Sequence, residues 1–162
     1  KSTVGVLLAK TLGYGFLDTD ILLQQREGLL LQELLEVRGA EGFLDAEEAV
    51  LKSLSCRRTV IAPGGSAVCR EGAMARLKTL GTVVYLRLPF SVIEERLKNI
   101  HTRGVVLAPG QTLRDLYETR APLCRRHAGV TIDAGGQTPE ETVAAVLEAL
   151  DGKTSIPSDQ FK

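Results

Sequence analysis

The chain has 162 residues, 44% hydrophobic and 25% charged, which excludes a disordered segment and fits one domain with a buried core. Lys+Arg and Asp+Glu number 20 each, so no net field recruits nucleic acid or an anionic membrane, and phosphate binding must rest on local basic groups. No run approaches the roughly eighteen apolar residues of a bilayer span, no signal peptide is visible, and three cysteines without a C-x-x-C pair read as reduced, buried thiols of a cytoplasmic protein.

The chain opens Lys1-Ser2-Thr3-Val4-Gly5 and runs into a helix expected over 2–12, with Val4, Leu7, Leu8 and Leu12 on one face and Gly13 and Gly15 breaking it. Lys-Ser-Thr is the trailing half of a phosphate-gripping loop, G-x-x-x-x-G-K-[ST]. There, backbone N–H groups cradle phosphates, the lysine neutralises charge and the hydroxyl ligates Mg2+. The expectation is that roughly ten residues, an apolar strand and a Gly-rich turn, precede Lys1 in the natural protein, and that ATP is held weakly without them.

Phe16-Leu17-Asp18 reads as a short strand, with Asp20 capping a helix that Gly28 stops after Glu27. Helices follow over about 31–37 and 41–54, separated by Gly39. Thr59–Ala62 is a strand stopped by Pro63-Gly64-Gly65, and a helix over 71–80 leads to the strand 82–88, the clearest buried strand by pattern. Pro89 and Ser91 start a helix to about Asn99, and the Gly- and Pro-punctuated stretch 101–112 reads as a lid loop. Helix resumes from Thr112 to about Arg126, then comes the strand 130–133. Thr138-Pro139-Glu140-Glu141 starts a last helix to about Leu150, and 151–162 reads as a polar tail. Strands alternating with helices imply one α/β domain over 1–150 built on a parallel sheet covered on both faces.

The residues suited to phosphoryl transfer fall at expected strand ends. Lys1 would hold phosphate charge and Ser2 would ligate Mg2+. Asp18, at the carboxyl edge where α/β ligands bind, would hold the metal through water. Asp20 would accept a hydrogen bond from an acceptor hydroxyl. Gly64 and Gly65 would let backbone approach a ligand closely, where only glycine fits. Arg103 in the loop would close onto the phosphates, and Arg120 would clamp a substrate carboxylate. Arg125 and Arg126 read as solvated helix-end charges.

With these landmarks in order, the sequence resembles shikimate kinase over nearly its whole length. The matching residues are Lys1-Ser2-Thr3 with Gly5, Leu17-Asp18-Thr19-Asp20, Pro63 through Val68, Val83-Val84-Tyr85-Leu86, and Arg120-Ala121-Pro122-Leu123. The resemblance implies a three-layer P-loop kinase, like the nucleoside-monophosphate kinases, with a central five-stranded parallel sheet, a helical substrate region and a lid. It implies ATP-dependent phosphorylation of the 3-hydroxyl of shikimate in aromatic amino-acid biosynthesis, by a protein expected to be a monomer. By resemblance, Asp20, Gly64, Gly65 and Arg120 bind shikimate; Lys1, Ser2, Thr3 and Arg103 serve the phosphates and Mg2+, and Arg96 lies near the adenine.

Two departures bear on the substrate. Where the family has Phe-Arg-x-x-Glu, this chain has Phe43-Leu44-Asp45-Ala46-Glu47, and the family's third consecutive glycine is Ser66. Losing one of two charged clamps on an anion costs about 1.5–3 kcal/mol, one to two decades of affinity. Two alternatives therefore stand beside shikimate: another small hydroxylated acceptor, or a catalytically retired binding module.

Overall fold

The computed structural model describes residues 1–98 and 110–152. In chain order these form α1 (Ser2–Leu12), β1 (Gly15–Asp18), α2 (Thr19–Glu27), α3 (Leu31–Ser53), β2 (Thr59–Ala62), a short 3-10 turn (Ala67–Cys69), α4 (Glu71–Leu80), β3 (Val84–Arg87), α5 (Phe90–Lys98), α6 (Leu113–His127), β4 (Val130–Asp133) and α7 (Pro139–Asp151). The strands pair in parallel as two two-stranded sheets. In one, β1 runs beside β2 from Gly15–Thr59 to Asp18–Ala62; in the other, β3 runs beside β4 from Val84–Val130 to Arg87–Asp133.

Side chains alternate across each strand, so successive residues feed different cores. Leu17 and Ile61 pack with Leu51 of α3, Leu54 just past its end, and Met74 and Leu77 of α4. Val60 and Val84 pack with Leu8 of α1, Ile132 of β4, and Val143 and Val146 of α7. Helices therefore cover both faces of the strands, the expected α/β arrangement. A third cluster, Leu23, Leu34, Phe43, Ala46 and Val50, joins α2 to α3. Burying a leucine such as Leu51 completely stabilises the fold by about 1.5–3 kcal/mol.

Local signals place most boundaries. Gly39 takes φ 68°, a left-handed conformation that breaks α3 into the two expected helical stretches. Thr138 caps α7 by accepting from the Glu141 N–H, while the Glu141 carboxylate accepts from the Thr138 N–H. Three expectations are corrected. The cap of α2 is Asp18, whose side chain accepts from the Asp20 N–H, because the helix starts one residue early at Thr19. The strand expected over 82–88 spans only Val84–Arg87 and is half-buried; beyond its end the Leu88 carbonyl accepts from the Tyr117 hydroxyl. The cysteines are free but not fully buried: Cys69 is exposed, and Cys56 and Cys124 are intermediate. The lid stretch up to residue 109, with Arg103, and the tail from 153 lie outside the described residues.

Candidate active site

Parallel pairing brings the carboxyl ends of β1 and β2 side by side, which places Asp18 next to Ala62 and the Pro63-Gly64-Gly65 turn. Gly5 brings α1 onto the same edge: a Cβ there would lie 2.8 Å from Phe16 Cε2, so only glycine lets the helix pack this closely on β1. The first turn of α1 thus meets the strand end. The Ser2 hydroxyl donates to Asp18 Oδ2 at 2.8 Å, and Lys1 Nζ donates to the Pro63 carbonyl at 2.9 Å. Asp18 Oδ1 accepts the Asp20 N–H at 3.0 Å, so one carboxylate both caps α2 and holds the serine. The N-terminus of α1 carries no acidic residue in its first turn and no side-chain cap, which leaves its N–H groups suited to an anion.

Beside this edge lies a second cluster. Buried Thr19 accepts the Gly64 N–H at 3.1 Å and ties the two strand ends together. A Cβ on Gly64 would stand 2.0 Å from Glu47 Oε1 and 2.8 Å from Asp20 Oδ1, so this glycine is packed against two carboxyl groups. A Cβ on Gly65 would stand 3.5 Å from Arg120 Nη1 and 3.9 Å from Lys1 Nζ, so the next residue faces two cations. The dipeptide divides acids from bases over one peptide unit. That arrangement suits an acceptor bearing hydroxyl groups on one side and negative charge on the other.

Of the expected site residues, Lys1, Ser2, Asp18, Asp20, Gly64, Gly65 and Arg120 come together. Thr3 is exposed on α1, Arg96 is exposed on α5, and Arg103 lies outside the described residues. Leu44 is half-buried, so position 44 supplies no guanidinium. Glu47 was not among the expected site residues. It is 3% exposed. Burial chiefly raises its pKa and Asp20 adds to this, while Ser66, Arg120 and Lys1 pull the other way. The signal was present in the sequence: Phe43, Ala46, Glu47 and Val50 share the buried stripe of α3, and an acid on an apolar stripe is anomalous. Burial pushes the Cys124 thiol up, against smaller lowering effects from Lys1 and Arg120, which favours its neutral form.

Among the described residues no group of three or more His, Cys, Asp or Glu side chains could hold a metal ion. The hydroxyl–carboxylate pair Ser2–Asp18 instead offers oxygen ligands of the kind Mg2+ accepts while keeping waters and substrate phosphates in its remaining positions.

Comparison with known proteins gives one family throughout. The family model described as shikimate kinase matches residues 1–151. A shikimate kinase of Pseudomonas paraeruginosa is 39% identical over 155 residues, covering 93% of this chain and 89% of the relative, and that of Aquifex aeolicus is 36% identical over 153 residues, covering 94% and 90%. Among solved structures, shikimate kinase from Acinetobacter baumannii in complex with shikimate superposes with a TM-score of 0.87 at 32% identity, covering 95% of this chain and 88% of that one. The Aquifex aeolicus enzyme gives a TM-score of 0.81 at 35% identity, covering 94% and 90%.

Proposed function

The chain belongs to the shikimate kinase family, and from that premise we propose that it transfers the terminal phosphoryl group of ATP to the 3-hydroxyl of shikimate. The observation that carries this reading is the Gly64-Gly65 turn, which sets the Asp20 carboxylate on one side and Arg120 with Lys1 on the other. Arg120 takes the carboxylate of the acceptor through charge-assisted hydrogen bonds. Asp20 accepts the hydrogen bond of the reacting hydroxyl, orients it and receives its proton as the new P–O bond forms. Lys1 balances the charge of the transferring phosphoryl group, and the open N-terminus of α1 favours the same anion. Ser2 and Asp18 would hold Mg2+, which when bound neutralises phosphate charge. We assign Thr3 and Arg103 to the phosphates and Arg96 to the adenine side by resemblance. We read the molecule as a cytoplasmic monomer; no described helix is long and apolar enough to cross a membrane.

We read the two strand pairs as parts of one parallel sheet, the five-stranded sheet that the resemblance implies. This reading is supported by a single apolar cluster that reaches Val60 on β2 and Val84 on β3 from α1 and α7. A crystal structure that leaves the two pairs in separate sheets would overturn it.

A coupled ADP-release assay against shikimate and a panel of small polyols and hydroxy acids tests the activity. Turnover of shikimate is expected. Leu44 favours the second reading, another hydroxylated acceptor, and turnover of a different compound alone would establish it. Nucleotide binding without any turnover would mark a retired module.

A further inference from the structure

Two of the three free cysteines border the candidate site from different elements. Cys69 ends the 3-10 turn that follows Gly64-Gly65 and is exposed. Backbone hydrogen bonds tie that turn to the dipeptide: the Ala67 N–H donates to the Gly64 carbonyl at 3.4 Å, and the Cys69 N–H donates to the Ser66 carbonyl at 2.8 Å. Cys124 lies on α6, one helical turn beyond Arg120 and so on the same face. A Cβ on Gly65 would stand 3.5 Å from Arg120 Nη1, so that face of α6 is turned to the glycine turn. Beyond this contact the 3-10 turn packs on α6, and Cys69 lies near enough for its charge to disfavour a thiolate at Cys124. Cys56, by contrast, sits ahead of β2, at the end of that strand away from the glycine turn.

We propose that Cys69 and Cys124 form a reversible disulfide that ties the 3-10 turn to α6 and switches off the acceptor site. Its effect on turnover rests on the reading of Gly65 and Arg120 as acceptor groups; the bond itself does not. Exposed Cys69 attacks a low-molecular-weight disulfide as its thiolate, forming a mixed disulfide and releasing one small thiol. Cys124 then attacks the Cys69 sulfur and displaces the second. Two protein thiols are oxidised, one small disulfide is reduced to two thiols, and the protons lost by the cysteines pass through solvent to the released thiolates. A disulfide holds its two Cα atoms roughly 4.4–6.8 Å apart, so closing it draws the turn and the helix into one fixed geometry. The helix can yield there, because Pro122, between Arg120 and Cys124, leaves α6 one backbone hydrogen bond short. Arg120 and Gly65 are then displaced against each other, and reduction releases them. Reversible bonds of this kind are the form disulfides take in a reducing compartment.

The test incubates reduced protein with glutathione disulfide, measures ADP release with shikimate, and maps the bonds by mass spectrometry of alkylated, unreduced peptides. Wild type and Cys56→Ser should each give a peptide pair linked through Cys69 and Cys124 within one chain. Both should lose about tenfold or more of turnover and regain it with dithiothreitol. Cys69→Ser should keep its turnover under the same oxidant. Cys124→Ser should carry glutathione on Cys69 yet keep most of the turnover it shows when reduced. No linked pair in wild type, a pair formed only between two chains, a linked pair with unchanged turnover, or Cys124→Ser inhibited as strongly as wild type would each overturn the proposal. Reduced wild type that does not turn over shikimate would refute the proposed substrate, while the linked pair, which needs no activity, would still establish the bond.

Discussion

The two strand pairs share parallel register and length yet end in opposite ways. The β3–β4 pair ends at Arg87 and Asp133, register partners whose exposed side chains join at 2.7 Å. Each raises the charge-bearing tendency of the other, holding the Asp133 carboxyl below and the Arg87 guanidinium above their ordinary pKa values. The β1–β2 pair ends at Asp18 and the Gly64-Gly65 turn, where acids and bases are kept on separate sides by glycines and caps. Charges that satisfy each other leave little for a ligand. The first pair instead gathers Lys1, Asp20, Glu47 and Arg120 around one glycine turn, which is why the functional reading falls on it.

The sharpest way to break this comparison is Asp20→Asn. It should cost about two to four decades of turnover while nucleotide affinity stays within a few-fold, measured by ADP release and equilibrium binding. Unchanged turnover would remove Asp20 from the chemistry.

Next come paired glycine substitutions. Gly64→Ala drives a Cβ to 2.0 Å from Glu47 Oε1 and should destabilise by about 1–3 kcal/mol and abolish acceptor binding. Gly135→Ala, just past β4, meets Pro89 Cδ at 3.2 Å and should cost clearly less in denaturant unfolding, with turnover kept. Equal costs would dissolve the distinction between the two edges.

A smaller effect separates two buried titrating groups. Glu47, raised above its ordinary pKa, contributes stability that is complete below the ordinary carboxylate range and lost as pH rises through the raised value. His127, at the end of α6, is lowered by burial first and then by Lys78 and Arg126, with Glu71 3.8 Å from Nε2 but paired to Arg126. Its contribution is present above the ordinary imidazole value and lost as pH falls through the lowered one. Glu47→Gln should therefore flatten the alkaline side of the stability profile and His127→Gln the acidic side. Urea midpoints across pH check both, and a variant whose profile parallels wild type would remove its group from the account.

The least effect is expected from Arg87→Leu. It breaks an exposed pair and should move the thermal midpoint barely detectably, with turnover intact. A marked loss of activity would give the β3–β4 edge a role in the site.

The amino-acid sequence alone determined whatever is decided within a few neighbouring residues. The capping box at Thr138, the break at Gly39, the strands Thr59–Ala62 and Val130–Asp133, and the Lys1-Ser2, Asp18-Thr19-Asp20 and Gly64-Gly65 motifs were all legible in it. Local backbone geometry and short-range hydrogen bonds set these features, and both are written in adjacent residues. Tertiary structure decided the rest: that Asp18 rather than Asp20 caps α2, that Lys1 reaches Pro63 across 62 positions, that the cysteines stay partly open, and that Glu47 is buried against Gly64. Burial and charge pairing depend on which distant elements pack together, and no local pattern specifies that.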